Sequence, residues 1–305
     1  MTLTQIEYVL EIAKAGSMNK AAELLFVSQP ALTSALKSLE SEFGIQIFRR
    51  TSHGVKPTNE GLEFLRYARQ LYQQANLICD HFSPQGDRKK KFYVSTQHYS
   101  FATKAFVNLV STHSMEQYDY AIKETKTLNV IRDVENASSE IGILFRSRFN
   151  RTFLQRIFTE KNLEFHPLVT CAPYVYLYKD HPLADKPVIT NEDLQEYPSM
   201  SFDQGEEGSL YLAEEIQCED TFKRTIVVND RATMLNLMRG INGFTLCSGI
   251  ICEELNGSEY KAIPYQSAQN EDTFMEIGYI TLKNAILSEV ARDYIRHLED
   301  YFTRL

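Results

Sequence analysis

The chain of 305 residues contains no run of eighteen apolar residues, so no transmembrane helix is expected. Its opening segment, Met1 to Glu7, lacks a basic stretch followed by an apolar one; no signal peptide is expected, and a cytoplasmic location is. Cysteine is sparse. The five (Cys79, Cys171, Cys218, Cys247 and Cys252) are odd in number and show no C-x-x-C spacing, which argues against a zinc site and against an oxidised framework. Cys247 and Cys252 lie close enough in sequence to form a redox pair; the other reading is a pair of buried, reduced thiols. The seven histidines are scattered without metal-ligand spacing, so neither a metal nor a cofactor is expected. The second half has no G-x-S-x-G elbow, no Walker-type loop, no G-x-G-x-x-G and no H-E-x-x-H, so nothing positive speaks for an enzyme.

What is present is the composition of a globular protein, with 43% hydrophobic and 24% charged residues, in a chain long enough for two or three compact units. The net charge of −8 is unevenly divided. Residues 1–91 hold twelve Lys and Arg against nine Asp and Glu, and residues 92–305 hold twenty against thirty-one. A mildly basic module is therefore joined to an acidic body. The charge by itself points only faintly to nucleic acid.

Ile6, Val9, Leu10 and Ala13 recur at helical spacing before Gly16, and Ser17 can cap a second helix carrying Met18, Ala21, Ala22 and Leu25. Ser28 can cap a third, with Pro30 in its first turn and Leu32, Leu36, Leu39 and Phe43 as its buried stripe. With Gln29 at zero and about 100° per residue, those four fall between about 280° and 340°. Gln29, Thr33, Lys37, Pro30 and Ser34 fall between about 0° and 140°. One face is core. The other offers an amide, hydroxyls and an ammonium, groups that can read adenine, either base edge, and guanine or phosphate. An ordinary solvated face has the same make-up, so the neighbours matter. After Gly44, Ile45 to Phe48 reads as a short strand leading to a polar tip, Arg49 to Gly54, and a return through Val55, Lys56 and Pro57. That is a hairpin wing bearing Arg49, Arg50, Lys56 and His53. Thr58 can cap a long helix to about Asp80, with Leu62, Leu65, Leu71, Ala75 and Ile78 as apolar positions. Such a helix calls for a partner helix or for packing on its own domain. Ser83 to Lys91 is a Pro/Gly/charged hinge.

Beyond the hinge, strand-like runs at Phe92 to Thr96, Tyr118 to Lys123 and Ile141 to Phe145 alternate with helical ones near 100–112 and 127–137. Further strands are expected at Tyr174 to Tyr178, Thr225 to Val228, Phe244 to Cys247 and Met275 to Thr281, and a helix from Ile286 to Tyr301. The pattern implies two α/β lobes joined by two crossovers, with a cleft between them. Ligands in such folds collect at strand ends and helix N-termini. The candidates there are Ser95, Thr96, Gln97 and His98, Thr125 and Thr127, Arg146, Ser201 and Phe202, and Thr245 and Ser248. Hydroxyls with one arginine suit a small carboxylate, while each single Ser or Thr also reads as a routine cap and His98 as structural. A solute-binding protein would share this half of the fold.

The run from Ala15 to Ser34 resembles the helix-turn-helix of LysR-type transcriptional regulators, and Leu39-Glu40, Phe43-Gly44, Ile47 to Arg50 and Thr58 to Gly61 continue the pattern in register. Ser34 departs from it, standing where many members carry arginine. His181 to Ala184 resembles a short feature of the second lobe in that family. The resemblance implies an N-terminal winged helix-turn-helix domain (residues 1–58), a linker and dimerisation helix (59–82), the hinge (83–91) and a periplasmic-binding-protein-like effector domain (92–305). In the last, lobe I is about 92–162 with 268–305, and lobe II is about 163–267. It further implies DNA contacts from Ser28, Gln29, Pro30, Thr33, Ser34, Lys37, Arg49, Arg50, His53 and Lys56. The partners it implies are a dyad-symmetric site on double-stranded DNA, further copies of the chain in a homodimer or homotetramer, and a small metabolite. Thr125-x-Thr127 with Ser139 to Ile143 resembles regulators of sulfur-amino-acid metabolism in low-GC Gram-positive bacteria, which points to an amino-acid or sulfur-pathway metabolite such as an acetylated serine.

Overall fold

The computed structural model describes residues 1–51, 54–82, 90–113, 117–205, 209–215, 221–267 and 274–304. The chain divides into two compact units, Met1–Arg88 and Lys89–Leu305.

In the first unit, α1 (Leu3–Ala15) is capped by Thr2 and stopped by Gly16 in the left-handed conformation. Ser17 caps α2 (Met18–Leu24), and Ser28 caps α3 (Gln29–Phe43), which Gly44 ends. Ile6, Val9, Ile12, Ala21, Ala22, Leu32, Leu36 and Leu39 form the core between them. Phe43 leaves that stripe at its end: it is exposed and meets Phe64 edge-on, with ring centroids 5.4 Å apart. The expected strand at Ile45 to Phe48 sits elsewhere. Glu40 Oε1 accepts the backbone N–H groups of Ile47 (2.7 Å) and Phe48 (3.2 Å), holding this segment to α3. The hairpin is β1 (Phe48–Thr51) against β2 (Gly54–Pro57), with Arg49 opposite Lys56 and Arg50 opposite Val55. Val55 N–H donates to the Gly16 carbonyl, and a Cβ on Gly54, where φ is +129°, would stand 2.2 Å from that same oxygen. Thr58 caps α4 (Asn59–Phe82) through the Gly61 N–H (2.9 Å). Leu65 and Ala68 of α4 are buried, while Leu62, Tyr67, Leu71 and Ile78 stay exposed.

The second unit has two sheets. The first has the order β4-β3-β5-β13-β6, from β3 (Lys90–Thr96), β4 (Tyr118–Glu124), β5 (Ile141–Ser147), β6 (Leu163–Cys171) and β13 (Met275–Leu282). Parallel strands 3, 4 and 5 are followed by α5 (Ser100–Thr112), α6 (Thr127–Glu135) and α7 (Arg151–Glu160), as the alternation requires. The second sheet has the order β10-β9-β11-β7-β12-β8, from β7 (Tyr174–Tyr178), β8 (Ile189–Thr190), β9 (Ser199–Phe202), β10 (Thr225–Val228), β11 (Phe244–Cys247) and β12 (Tyr260–Gln266). The helices α8 (Asn191–Leu194), α9 (Arg231–Ile241) and α10 (Glu253–Asn256) belong to this lobe. The last helix, α11 (Glu289–Thr303), starts at the Ser288 cap, so Ile286 lies outside it and is exposed. Tyr294 of α11 is buried and donates to the Ala102 carbonyl of α5.

Two expected boundaries shift. Lobe II does not begin at Leu163, because β6 pairs antiparallel with β13 through Cys171 and is an edge of the first sheet; the crossover falls between Cys171 and Tyr174. Of the expected hinge, 83–89 lies outside the described residues, and Lys90 and Lys91 are already paired in β3.

Candidate functional site

The first candidate surface is the outer face of α3 with the hairpin. Pro30, Ser34 and Lys37 are exposed, and Gln29 and Thr33 are half-buried. Ser28 spends its hydroxyl on the Ala31 N–H (3.3 Å). Gln29 Nε2 donates to the Thr33 hydroxyl (3.1 Å), which donates in turn to the Gln29 carbonyl (2.9 Å). Amide and hydroxyl are thus preset one turn apart, with the amide oxygen left to accept. On the hairpin, Arg49 and Lys56 are exposed, directly opposite one another and on one face, with Arg50 exposed on the other. None of Lys37, Arg49, Arg50 and Lys56 has an ion pair among the described residues. Like charges facing across a ladder weaken a hairpin, so such an arrangement is stable only beside anions or in water. His53 lies outside the described residues.

The second candidate site lies between the lobes of the second unit. Gln97, just past β3, is buried at its centre: its Nε2 donates to the Thr127 hydroxyl (2.6 Å), and its Oε1 accepts from the Phe145 N–H (3.0 Å) and the Tyr99 hydroxyl (3.1 Å). Thr127 opens α6. Its hydroxyl donates to the Leu212 carbonyl (2.7 Å), and its N–H donates to Gln204 Oε1 (3.1 Å), both from lobe II. His98 stacks on Phe202 at 3.8 Å between centroids and 5° between planes. Its N–H donates to Glu214 Oε2 at 3.0 Å, and its Nδ1 lies 2.8 Å from the same oxygen. The neighbouring Glu215 accepts the Phe202 N–H (2.7 Å), and burial, together with the charge of Glu214, pushes its carboxyl up to about 8. Lys126 pairs with Asp203 and Arg231 with Glu124 across the same gap.

Gln97, His98, Thr127 and Phe202 therefore converge; the other expected residues do not. Ser95 gives its hydroxyl to Asp133 (2.7 Å) and shares a bond with Ser139 (2.8 Å), and Glu140 accepts from Ser288, so this stretch ties α6 and α11 to the sheet. Thr96 is fully buried and donates to the Gln97 carbonyl, and Thr125 accepts from Asn129. Arg146 lies on the opposite face of β5 from Phe145. It pairs with Glu276, stands 4.1 Å over the Phe165 ring and borders a separate cavity of about 280 Å³ with Gln155, Thr159 and Lys283. Ser201 alternates with Phe202 and so faces away from His98. Thr245 shares a strand face with Cys247, toward the cluster of Tyr176, Met234 and Met238, and its buried hydroxyl has no hydrogen-bond partner among the described residues. Ser248 accepts the Ile250 N–H (3.2 Å) in the turn after β11. Gln204, Leu212, Glu214 and Glu215 were not foreseen. The adjacent acids after an apolar Leu210-Tyr211-Leu212 run are their sole sequence signal.

Residues 3–62 match the model of the bacterial regulatory helix-turn-helix protein, lysR family, and residues 117–303 match that of the LysR substrate binding domain. The chain belongs to the LysR family. It is 25% identical to the uncharacterized HTH-type transcriptional regulator YbhD of Escherichia coli over 99% of its own length and 92% of that protein's. It is 23% identical to the regulator YvbU of Bacillus subtilis, over 86% and 90% respectively. Among solved structures, a full-length OxyR from Pseudomonas aeruginosa superposes with a TM-score of 0.66 at 20% identity (99% and 94% covered), and full-length CbnR complexed with its target DNA with 0.56 at 15% (99% and 100%). The protein is a DNA-binding transcriptional regulator with a two-lobed α/β substrate-binding domain, not an enzyme. No described helix is long and apolar enough to cross a membrane.

Proposed function

We propose that this regulator acts in the cytoplasm as a homodimer or homotetramer. In this reading α3 and its wing bind a dyad-symmetric operator, and a small metabolite held between the two lobes switches it. The DNA half rests on one observation: Lys37, Arg49, Arg50 and Lys56 are exposed beside the Gln29–Thr33 pair without ion-pair partners among the described residues. Gln29 and Thr33 then read base edges, Pro30 and Ser34 lie against them, and the cations hold phosphates. The exposed Leu62, Leu71 and Ile78 of α4 support pairing of two chains through that helix. CbnR, with which this chain shares its fold, was captured on its target DNA.

The metabolite half rests on the buried cluster of Gln97, His98 and Thr127, in which Gln97 holds Thr127 within lobe I while His98 and Thr127 make their hydrogen bonds across the lobe boundary. An amino-acid or sulfur-pathway metabolite remains the leading class, on the sequence likeness around Thr125 and Thr127. Redox control through Cys247 and Cys252 is the poorer reading. Burial pushes the Cys247 thiol up to about 12, away from the thiolate that oxidation requires. The test is a thermal-shift screen of the full chain against amino-acid and sulfur metabolites, repeated on Thr127→Val. A hit whose affinity is unchanged by Thr127→Val places the metabolite elsewhere. Operator fragments selected from genomic DNA test the other half, through footprints on Gln29→Ala and Lys56→Ala.

A further inference from the structure

The polar groups of lobe I that line the gap are already occupied, and the occupant is the chain itself. Residues 209–215 leave lobe II as a strap with a single tight turn, Leu210–Leu212, capped by Ser209. Leu212 is 3% exposed and packs among Val130, Ile131, Leu154 and Phe158, which belong to the core of lobe I beneath α6 and α7. Tyr211 stacks between Phe149 (4.7 Å) and Phe153 (5.0 Å) of the same lobe. The Leu212 carbonyl takes the Thr127 hydroxyl, and the Glu214 carboxylate takes the His98 N–H, the His98 ring nitrogen and, on its other oxygen, Gln204 Nε2 (2.9 Å). The side chains of His98 and Glu214 are 8% and 4% exposed. The strap pairs with no strand among the described residues, and Leu210 near its start is 69% exposed. Among the described residues, its hold on lobe I is thus one leucine, one aromatic stack and a handful of hydrogen bonds. Displacement by a ligand that offers the same acceptors needs no sheet to be broken.

We propose that Ser209–Glu215 is a built-in competitor for the effector cleft. Glu214 holds the place of the effector's carboxylate, the Leu212 carbonyl holds the place of a second oxygen acceptor, and binding of a small carboxylate of that kind displaces the strap. This rests on the reading that the cleft binds a metabolite, and it adds the ligand's chemistry and the segment whose release reports binding. The donors that would meet the ligand are the groups now satisfied by Glu214: the His98 N–H, the His98 ring and Gln204. A carboxylate can accept all three, whereas a neutral or cationic ligand leaves Glu214 in place.

The test uses the full chain, with sodium acetate and sodium glutarate as probes and sodium chloride at equal ionic strength as the reference. Glu214→Ala empties the carboxylate position. Acetate should raise its melting temperature saturably, with a midpoint at least about tenfold below that of the wild type, where Glu214 competes. In the wild type, glutarate should speed hydrogen–deuterium exchange in the 209–215 peptide. Acetate acting no differently from chloride on Glu214→Ala overturns the proposal, as does glutarate that slows exchange in 209–215. Should Glu214→Ala not fold, Tyr211→Ala loosens the strap from outside the cleft and should tighten glutarate binding; unchanged binding overturns the proposal. A metabolite that still depends on Thr127 while these outcomes fail leaves the proposed function standing without the strap. Loss of that dependence removes the cleft reading itself.

Discussion

The helix-turn-helix unit keeps Lys37, Arg49, Arg50 and Lys56 exposed and without ion pairs among the described residues. The gap in the effector unit instead joins Lys126 to Asp203, Arg231 to Glu124 and His98 to Glu214. Both surfaces hold charge, but they hold it in opposite ways. Exposed cations facing one another raise the free energy of the isolated hairpin and lower it beside a polyanion, where release of counterions favours binding. Internally paired charges close a gap, and under the proposal made above a ligand enters by replacing one of the partners. On the proposed function, the first surface serves an external, extended partner and the second serves exchange.

The largest loss of stability from a single substitution should come from Gly61→Ala. A Cβ there would stand 1.9 Å from the Ile47 carbonyl oxygen, at the point where α4 passes the segment leading into the wing. Backbone cannot yield cheaply, so a loss of about 2–3 kcal/mol is expected, from overpacking alone. It should fall on one side of the comparison. Calorimetry of the full chain should show the first unit melting earlier with operator binding lost, while metabolite-induced stabilisation of the second unit persists. A uniform shift of both units would break the contrast.

Next is the pH dependence of the cleft. Glu215 titrates near 4.5 when unfolded and is pushed up to about 8 by burial and by Glu214. Its folded value lies above its unfolded one, so its contribution to stability is complete below about 4.5 and is lost as pH rises through about 8. Between those limits the unfolded state binds fewer protons, and stability falls with pH by up to about 1.4 kcal/mol per unit. Glu215→Gln should flatten this slope in urea unfolding at pH 5, 6.5 and 8. A slope that survives assigns the titration to another group.

The two units also differ in how far they could be read from sequence, and the cause is physical. The caps Ser17, Ser28 and Thr58 and the Leu32, Leu36 and Leu39 stripe act within a few residues, and they stand where the spacing placed them. The strand at Ile45 to Phe48 failed because an apolar run says nothing of Glu40, whose carboxylate captures two of its backbone N–H groups. In the effector unit, β5 is buried on both faces, so no alternation shows which side Arg146 takes. Glu214 meets His98 across 116 residues of sequence, a distance over which no local pattern carries information.

Smaller effects test the reading face. Gln29→Ala removes the amide, while the Thr33 hydroxyl keeps its bond to the backbone carbonyl of residue 29, and should cost about 1–2 kcal/mol of specific operator binding while nonspecific binding is nearly kept. Equal losses on specific and nonspecific DNA would turn Gln29 into a phosphate contact.

The smallest effect is the most diagnostic of the contrast, because its sign differs between the free and bound protein. Arg49 and Lys56 face each other directly across the β1–β2 ladder. Truncating either removes a like-charge contact, so Arg49→Ala should leave the first unit as stable as before or more stable by a few tenths of a kcal/mol at low salt. The same change removes a phosphate partner, so the slope of log K against log salt should fall by about one unit, with the loss spread evenly over specific and nonspecific DNA. Lys56→Ala should behave alike, and the double variant should gain no further stability, since the repulsion is already relieved by the first change. A control at the cleft completes the comparison. Lys126→Ala leaves Asp203 without its partner, and should lower the stability of the second unit without altering the salt slope. If Arg49→Ala destabilised the hairpin and spared the slope, the wing would be an internally paired surface like the cleft, and the electrostatic distinction between the two units would fall.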